Sequence, residues 1–257
     1  DNVAALENYT PGQNTDLAGG DFRGARVARG YFTNVDVSGA RLNEADFSKA
    51  KLVGANLTGT VLNDATFQKA DVSGARFTDA EMVGADFTGA RCVGADFSGV
   101  STRVDLPSDL NMQQEAPKPT RFVDATLSGA NLRGADLSGA ILTGADFRGA
   151  TYDDVTRWPE GFAYTCCGAI GPGADLQGAD LQGVTLRGVT LRRANLTAAD
   201  LRGADLRDVN FRGANLWSAD FRRANLSGAD LRGVSLWATI LEGVDLQGAD
   251  LTGAVIK

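Results

Sequence analysis

From residue 16 onward, a large apolar side chain recurs at every fifth position. The pattern runs from Leu17 to Phe97, again from Phe122 to Tyr152, and again from Leu176 to Ile256, giving 41 units. Two residues before each centre sits mostly Ala, sometimes Val, and a Gly commonly follows two residues after it. A period of five suits neither regular element. On an α-helix the centres would advance by about 140° per unit and smear around the cylinder. On a flat strand an odd period would send successive centres to opposite faces. A short extended segment with a turn every five residues does fit. The Ala and the following large residue then both point inward, and the Gly lets the chain bend. Small beside large suits a narrow, dry interior built in layers.

Units such as A-N-L-T-G at 55–59 and A-D-L-S-G at 135–139 resemble those of the pentapeptide-repeat family. The resemblance covers about nine tenths of the chain when its two interruptions are included. It implies an all-β fold: a right-handed, quadrilateral β-helix with four pentapeptides per coil and about ten coils. At the ~4.8 Å strand spacing, ten coils would make a rod of about 50 Å.

Two stretches break the period. Residues 101–121 carry Pro107, Pro117 and Pro119, and the frame returns in phase at Phe122. A projecting loop is expected there. Residues 153–173 contain T-R-W-P-E-G-F at 156–162, and the frame shifts by one before Leu176. A real discontinuity, a wedge between solenoid blocks, is expected. That string is similar to interruptions in cyanobacterial and plastid members of the family. The expected organisation is therefore a cap at 1–15, solenoid at 16–100, loop at 101–121, solenoid at 122–152, wedge at 153–173 and solenoid at 174–257. Solenoid ends need caps. Val3 to Leu6 suit a short helical turn over the first coil, whereas the C-terminus stops inside a unit at Ile256 and Lys257. Self-association through that end is an expectation. The start at Asp1 rather than Met reads as a processed mature form or a trimmed chain.

Composition narrows function by exclusion. The 257 residues include no His, so no Ser-His-Asp triad, Cys-His pair or imidazole ligand can form. No apolar run approaches the ~20 residues of a membrane-spanning helix. The net charge is −7, which argues against direct nucleic-acid binding. The charge is uneven: residues 1–174 carry 22 acidic and 15 basic side chains, and residues 175–257 carry ten of each. The many Asp residues are spread over all faces, so they read as turn-forming rather than catalytic or metal-binding. No cofactor and no metal are expected.

Residues 20 apart should lie on one face in adjacent coils. This places Arg192, Arg212 and Arg232 in one column, Arg187 and Arg207 in another, and Trp217 above Trp237 beside Asn195 and Asn215. Asp205, Asp230 and Asp250 are the carboxylates expected to balance the arginines. Exposed Trp and Arg are enriched at binding hot spots. Trp217, Trp237, Arg192, Arg212 and Arg232, together with Trp158 in the second interruption, are therefore the candidate partner-binding residues. Cys166 and Cys167 are a candidate redox pair, and Cys92, at a centre, is expected to be buried and inert.

These features point to a non-enzymatic scaffold that binds another protein or complex. The resemblance offers two settings. One is an assembly or stabilising subunit of a photosynthetic complex in the thylakoid lumen, with cytoplasm as the alternative compartment. The other is a DNA mimic that inhibits or protects a type II topoisomerase, gyrase. A mimic should replace a phosphate every ~1.7 Å, and the neutral, Arg-bearing last third weighs against it.

Overall fold

Outside the two interruptions, described pentapeptides pair with those 20 residues later. The Phe22 amide donates to the Arg41 carbonyl at 2.8 Å, and the Arg41 amide donates to the Gly20 carbonyl at 2.9 Å. Parallel bridges such as Asp21↔Arg41, Asp46↔Thr66 and Asp200↔Asp220 repeat this register. The chain therefore closes one turn per four pentapeptides, a β-helix-type solenoid. The paired segments are so short that almost all are single bridges. Among the described residues the two extended strands are β1 (Thr120–Arg121) and β2 (Ala140–Ile141), which pair in parallel.

The computed structural model describes residues 2–10, 17–102, 118–163 and 168–256. One unit comprises residues 1–150 with 155–162, and the second comprises 151–154 with 163–257.

The turn explains the period. In the unit centred on Phe22, the Ala25 amide donates back to the Phe22 carbonyl at 3.1 Å, and Gly24 between them has a φ of 70°. A positive φ at the third residue is the type II requirement, met most cheaply by Gly. Gly is not obligatory. Lys49 (φ 60°), Asp64 (φ 59°) and Arg193 (φ 59°) hold the same place, at about 1–2 kcal/mol for an L side chain. The pairing on both sides of the turn dictates its shape.

The inward positions fill the core. Ala45, Phe47, Ala65, Phe67, Ala85 and Phe87 are at most 1% exposed. In the first unit the rings form ladders. Phe67 stacks on Phe47 at 5.0 Å and on Phe87 at 4.7 Å, and Phe87 stacks on Phe122 at 5.0 Å. Rings on adjacent sides of a coil meet edge to face, as for Phe77 and Phe87 at 5.6 Å.

At the first interruption the register rises from 20 to 35, from Glu81↔Ser101 to Asp86↔Arg121. Ser101 still bridges both Glu81 and Asp136. Thr102 occupies a centre position at 2% exposure, with its hydroxyl donating to the Asp136 carbonyl at 2.9 Å. A polar centre hid this unit from a search for apolar ones. The expected projecting loop, with Pro107 and Pro117, lies outside the described residues.

At the second interruption the frame shift has a specific location. Asp136 bridges Arg157, 21 residues on, whereas Thr151 bridges Ile170, 19 residues on. Within the second unit, Gly171 stands at a centre position. A Cβ there would meet the Tyr152 ring at 2.7 Å. The Tyr152 ring fills the missing volume, and its hydroxyl donates to the Pro172 carbonyl at 2.8 Å.

Helix α1 (Asn2–Glu7) covers the first coil. Leu6 is fully buried, Tyr9 stacks on Phe32 at 5.6 Å, and the Glu7 carboxylate accepts the Arg26 amide at 2.9 Å. That amide belongs to a coil with no rung beneath it, so the carboxylate satisfies an edge donor. At the other end the centres Leu241, Leu246 and Leu251 are only half-buried, and Ile256 is 59% exposed.

Candidate interaction surface

The outward positions divide into those that build the turn and those that remain available. The residue before each centre is commonly Asp or Asn, and its side chain accepts the amide two residues on. Examples are Asp46 from Ser48 and Asp86 from Thr88, both at 2.9 Å. These Asx turns account for the recurrent carboxylates.

Carboxylates are neutralised in two ways. In the first unit opposite charges alternate up the columns, as in Arg26↔Asp46, Asp71↔Arg91 and Asp86↔Arg121, and Asp21–Arg23 and Asp146–Arg148 also pair within one repeat at 2.7 Å. Facing opposite charges across neighbouring strands is the favourable arrangement. In the second unit Asp200 lies over Asp220, and Asp230 over Asp250. There, neutralisation comes from within the repeat. An Asp before the centre and an Arg after it form a two-pronged pair: Asp200–Arg202, Asp205–Arg207 and Asp220–Arg222 at 2.6 Å, and Asp230–Arg232 at 2.7 Å. The hydrogen bond from Arg207 is the main reason the Asp205 carboxyl is held down at about 2. Asp200, Asp220 and Asp230 are lowered in the same way by their own arginines.

The Arg192, Arg212 and Arg232 column departs from this pattern. With Arg193 and Gly213 these side chains line one groove. Thr190 and Asn210 stand where an Asp would pair with Arg192 and Arg212. Arg192 instead reaches Asp154 at 3.3 Å, and Arg232 is held by Asp230 and, at 3.5 Å, by Asp250. Arg212, between them, has no carboxylate of the described residues within ion-pair distance. A second groove, lined by Arg202, Arg222, Arg223 and Glu242, differs because Arg202 and Arg222 are already bound to Asp200 and Asp220. The Arg187 and Arg207 column is likewise balanced, by Asp208 at 3.3 Å and by Asp205.

One corner further along the chain, residues 195–198, 215–218 and 235–238 carry no charge. Trp217 and Trp237 stand on this strip, 49% and 51% exposed. They occupy equivalent places one coil apart. The Ala198 amide donates to the Trp217 carbonyl at 2.8 Å, and the Ser218 amide to the Trp237 carbonyl at 3.3 Å. Asn215 accepts the Trp217 amide at 3.2 Å, so the local turn is satisfied without the indole.

Trp158 sits elsewhere. Its indole is half-buried, 5.6 Å from Phe147 and 5.5 Å from Phe162. It follows the bridging Arg157 and so takes a centre position, one residue out of phase. That packing half-buries the indole, which leaves it less open to a partner than a side chain on the outward positions. Cys166 and Cys167 lie outside the described residues. Cys92 is fully buried, and burial pushes its thiol well above the ordinary range.

Arg193 and the pairing of Arg192 with Asp154 were missed by reasoning from column arithmetic. The signal was available for Arg212: the D-x-R units at 200–202, 205–207, 220–222 and 230–232 contrast with T-L-R at 190–192 and N-F-R at 210–212.

Among solved structures, the chain is similar to HetL, a pentapeptide repeat protein involved in heterocyst differentiation regulation from the cyanobacterium Nostoc sp. strain PCC 7120. Identity is 24%, coverage 97% of this chain and 94% of that one, and the TM-score 0.34. A pentapeptide repeat protein of the Arabidopsis thaliana thylakoid lumen matches at 25% identity over 52% of this chain and 79% of its own, with a TM-score of 0.25. QnrB1, a plasmid-mediated fluoroquinolone resistance protein, matches at 18% identity over 93% and 85%, with a TM-score of 0.24. A search of curated proteins gave no match. The pentapeptide-repeats family profile matches eight times, over residues 13–48, 40–79, 73–101, 120–151, 166–188, 174–213, 191–228 and 219–257. With the 20-residue register and the inward Ala and Leu or Phe of most units, these family matches make the chain a member of the pentapeptide-repeat family.

Proposed function

We propose that this protein is a non-enzymatic scaffold that binds another protein through its second unit. The observation that carries the reading is the pair of exposed indoles, Trp217 and Trp237, on a strip free of charge. Half-exposed Trp side chains stacked in register and not needed by the turn are a costly surface unless a partner covers them. A right-handed, four-sided path of about ten coils is part of the same proposal, since it would present the strip as a flat face. The finer setting is assembly or stabilisation of a photosynthetic complex in the thylakoid lumen, supported by the T-R-W-P-E-G-F interruption. The DNA-mimic alternative is disfavoured, because residues 175–257 carry ten acidic and ten basic side chains and Asp200, Asp205, Asp220 and Asp230 are each bound by an arginine.

Changing Trp217 and Trp237 together to Ser tests the reading. Exposed substitutions away from packing shift stability by only ~0.5 kcal/mol, so the melting curve should be unchanged. A partner that co-purifies with the unaltered chain from its source should be lost with the double variant. Equal recovery of that partner would sink the proposal, and so would unfolding of the variant.

A further inference from the structure

The geometry points to a specific class of occupant for this surface: an acidic, amphipathic helix laid along the solenoid axis, with carboxylates in the Arg192–Arg232 groove and apolar side chains on Trp217 and Trp237. This rests on the scaffold reading and names its partner's chemistry.

Three observations carry it. First, the groove is electrostatically incomplete. Each D-x-R arginine of the second unit has its own carboxylate, whereas Thr190 and Asn210 remove that carboxylate beside Arg192 and Arg212. Arg212 stands between Arg192 and Arg232 with no carboxylate of the described residues within ion-pair distance; Asp230, whose charge it feels, is already bound by Arg232, and the exposed Arg193 adds a further positive charge to the same groove. An incoming carboxylate would relieve repulsion that the fold leaves in place.

Second, the aromatic and basic columns are neighbours. Trp217 follows Arg212, and Trp237 follows Arg232, by one pentapeptide, with the uncharged Asn215 and Ser235 between them. A ligand that satisfies both columns must carry acidic and apolar stripes side by side.

Third, the spacing selects the ligand's conformation. Coils repeat at ~4.8 Å, so three Arg rungs span about 9.6 Å. On an α-helix residues i, i+4 and i+8 lie on one face and span about 12 Å. Three same-face positions of an extended strand span about 13.2 Å, the larger departure from the rungs. Long arginine side chains absorb the smaller mismatch of the helix. A continuous phosphate backbone fits less well, since Asp154, Asp230 and Asp250 border the groove.

The test uses the full chain and a fluorescein-labelled peptide with Glu at every fourth position and an adjacent Leu stripe. A sequence-matched peptide with Lys in place of Glu serves as control, and a short DNA duplex as competitor. Fluorescence anisotropy should show binding of the Glu peptide, weakening with added salt, and none of the Lys peptide. R212Q should weaken binding at least fivefold with an unchanged melting curve. If R212Q binds as well as the unaltered chain, or if the duplex displaces the peptide at equal concentration, the acidic-helix inference is wrong. Should W217S/W237S lose the natural partner while R212Q retains both it and the peptide, the scaffold reading stands and this inference alone fails. Should neither variant alter either interaction, both fail.

Discussion

The ring ladder of the first unit makes a prediction that separates aromatic contact from simple burial. Phe87 and Phe47 are both buried, at 0% and 1% exposure, and both are centres in the same unit. They differ in ring partners. Phe87 stacks on Phe67 at 4.7 Å and Phe122 at 5.0 Å, and meets Phe77 and Phe97 edge to face at 5.6 and 5.7 Å. Phe47 stacks on Phe67 at 5.0 Å and meets Phe32 at 5.7 Å. Replacing each with Leu removes a similar amount of buried area, so the transfer and cavity costs nearly cancel in the comparison. The difference is two ring pairs, each contributing ~0.5–1.5 kcal/mol beyond area. F87L should therefore cost about 1–3 kcal/mol more than F47L. Urea unfolding followed by far-UV circular dichroism, and by Trp158 emission in a W217S/W237S background, reads this directly, because that indole packs on Phe147 and Phe162 in the same unit. An F47L variant as destabilised as F87L would show that the ladder adds nothing beyond filled volume.

Two further outcomes follow from the packing and the ion pairs. G171A should cost about 1–3 kcal/mol, since overpacking a filled core forces a shift and the added methyl would meet the Tyr152 ring at 2.7 Å. The cost should shrink when Tyr152 is Leu, and a cycle showing no coupling would refute the volume exchange. Stability should also fall with acid. Asp200, Asp205, Asp220 and Asp230 have carboxyls lowered by their arginines, Asp205 to about 2. A depressed folded value contributes stability that is present above the unfolded value of 3.8 and lost as pH falls toward 2. Each pair is exposed, so the loss per pair should stay within ~1 kcal/mol. A melting temperature that stays flat from pH 5 to pH 2 would contradict this.

The period of five already implied a turn every five residues and an Ala–Leu interior, because no helix or strand keeps a five-residue pattern on one face. It also placed Trp217 over Trp237, since a 20-residue coil makes column membership simple arithmetic. Tertiary structure decided what the arithmetic could not weigh. Thr102 is a centre because its hydroxyl finds the Asp136 carbonyl, a contact that no hydropathy pattern records. Trp158 takes a centre position and is half-buried because the chain gains one residue before Arg157, and one residue suffices to exchange an outward position for an inward one. Gly171 is a centre only because Tyr152 fills its volume from the coil before. The pairing of Arg192 with Asp154 is likewise decided in space, since 38 residues separate the two. Periodicity fixes local geometry, since every unit obeys the same backbone constraint. Exceptions to the period are resolved by non-local contacts, and those exist only once the coils are stacked.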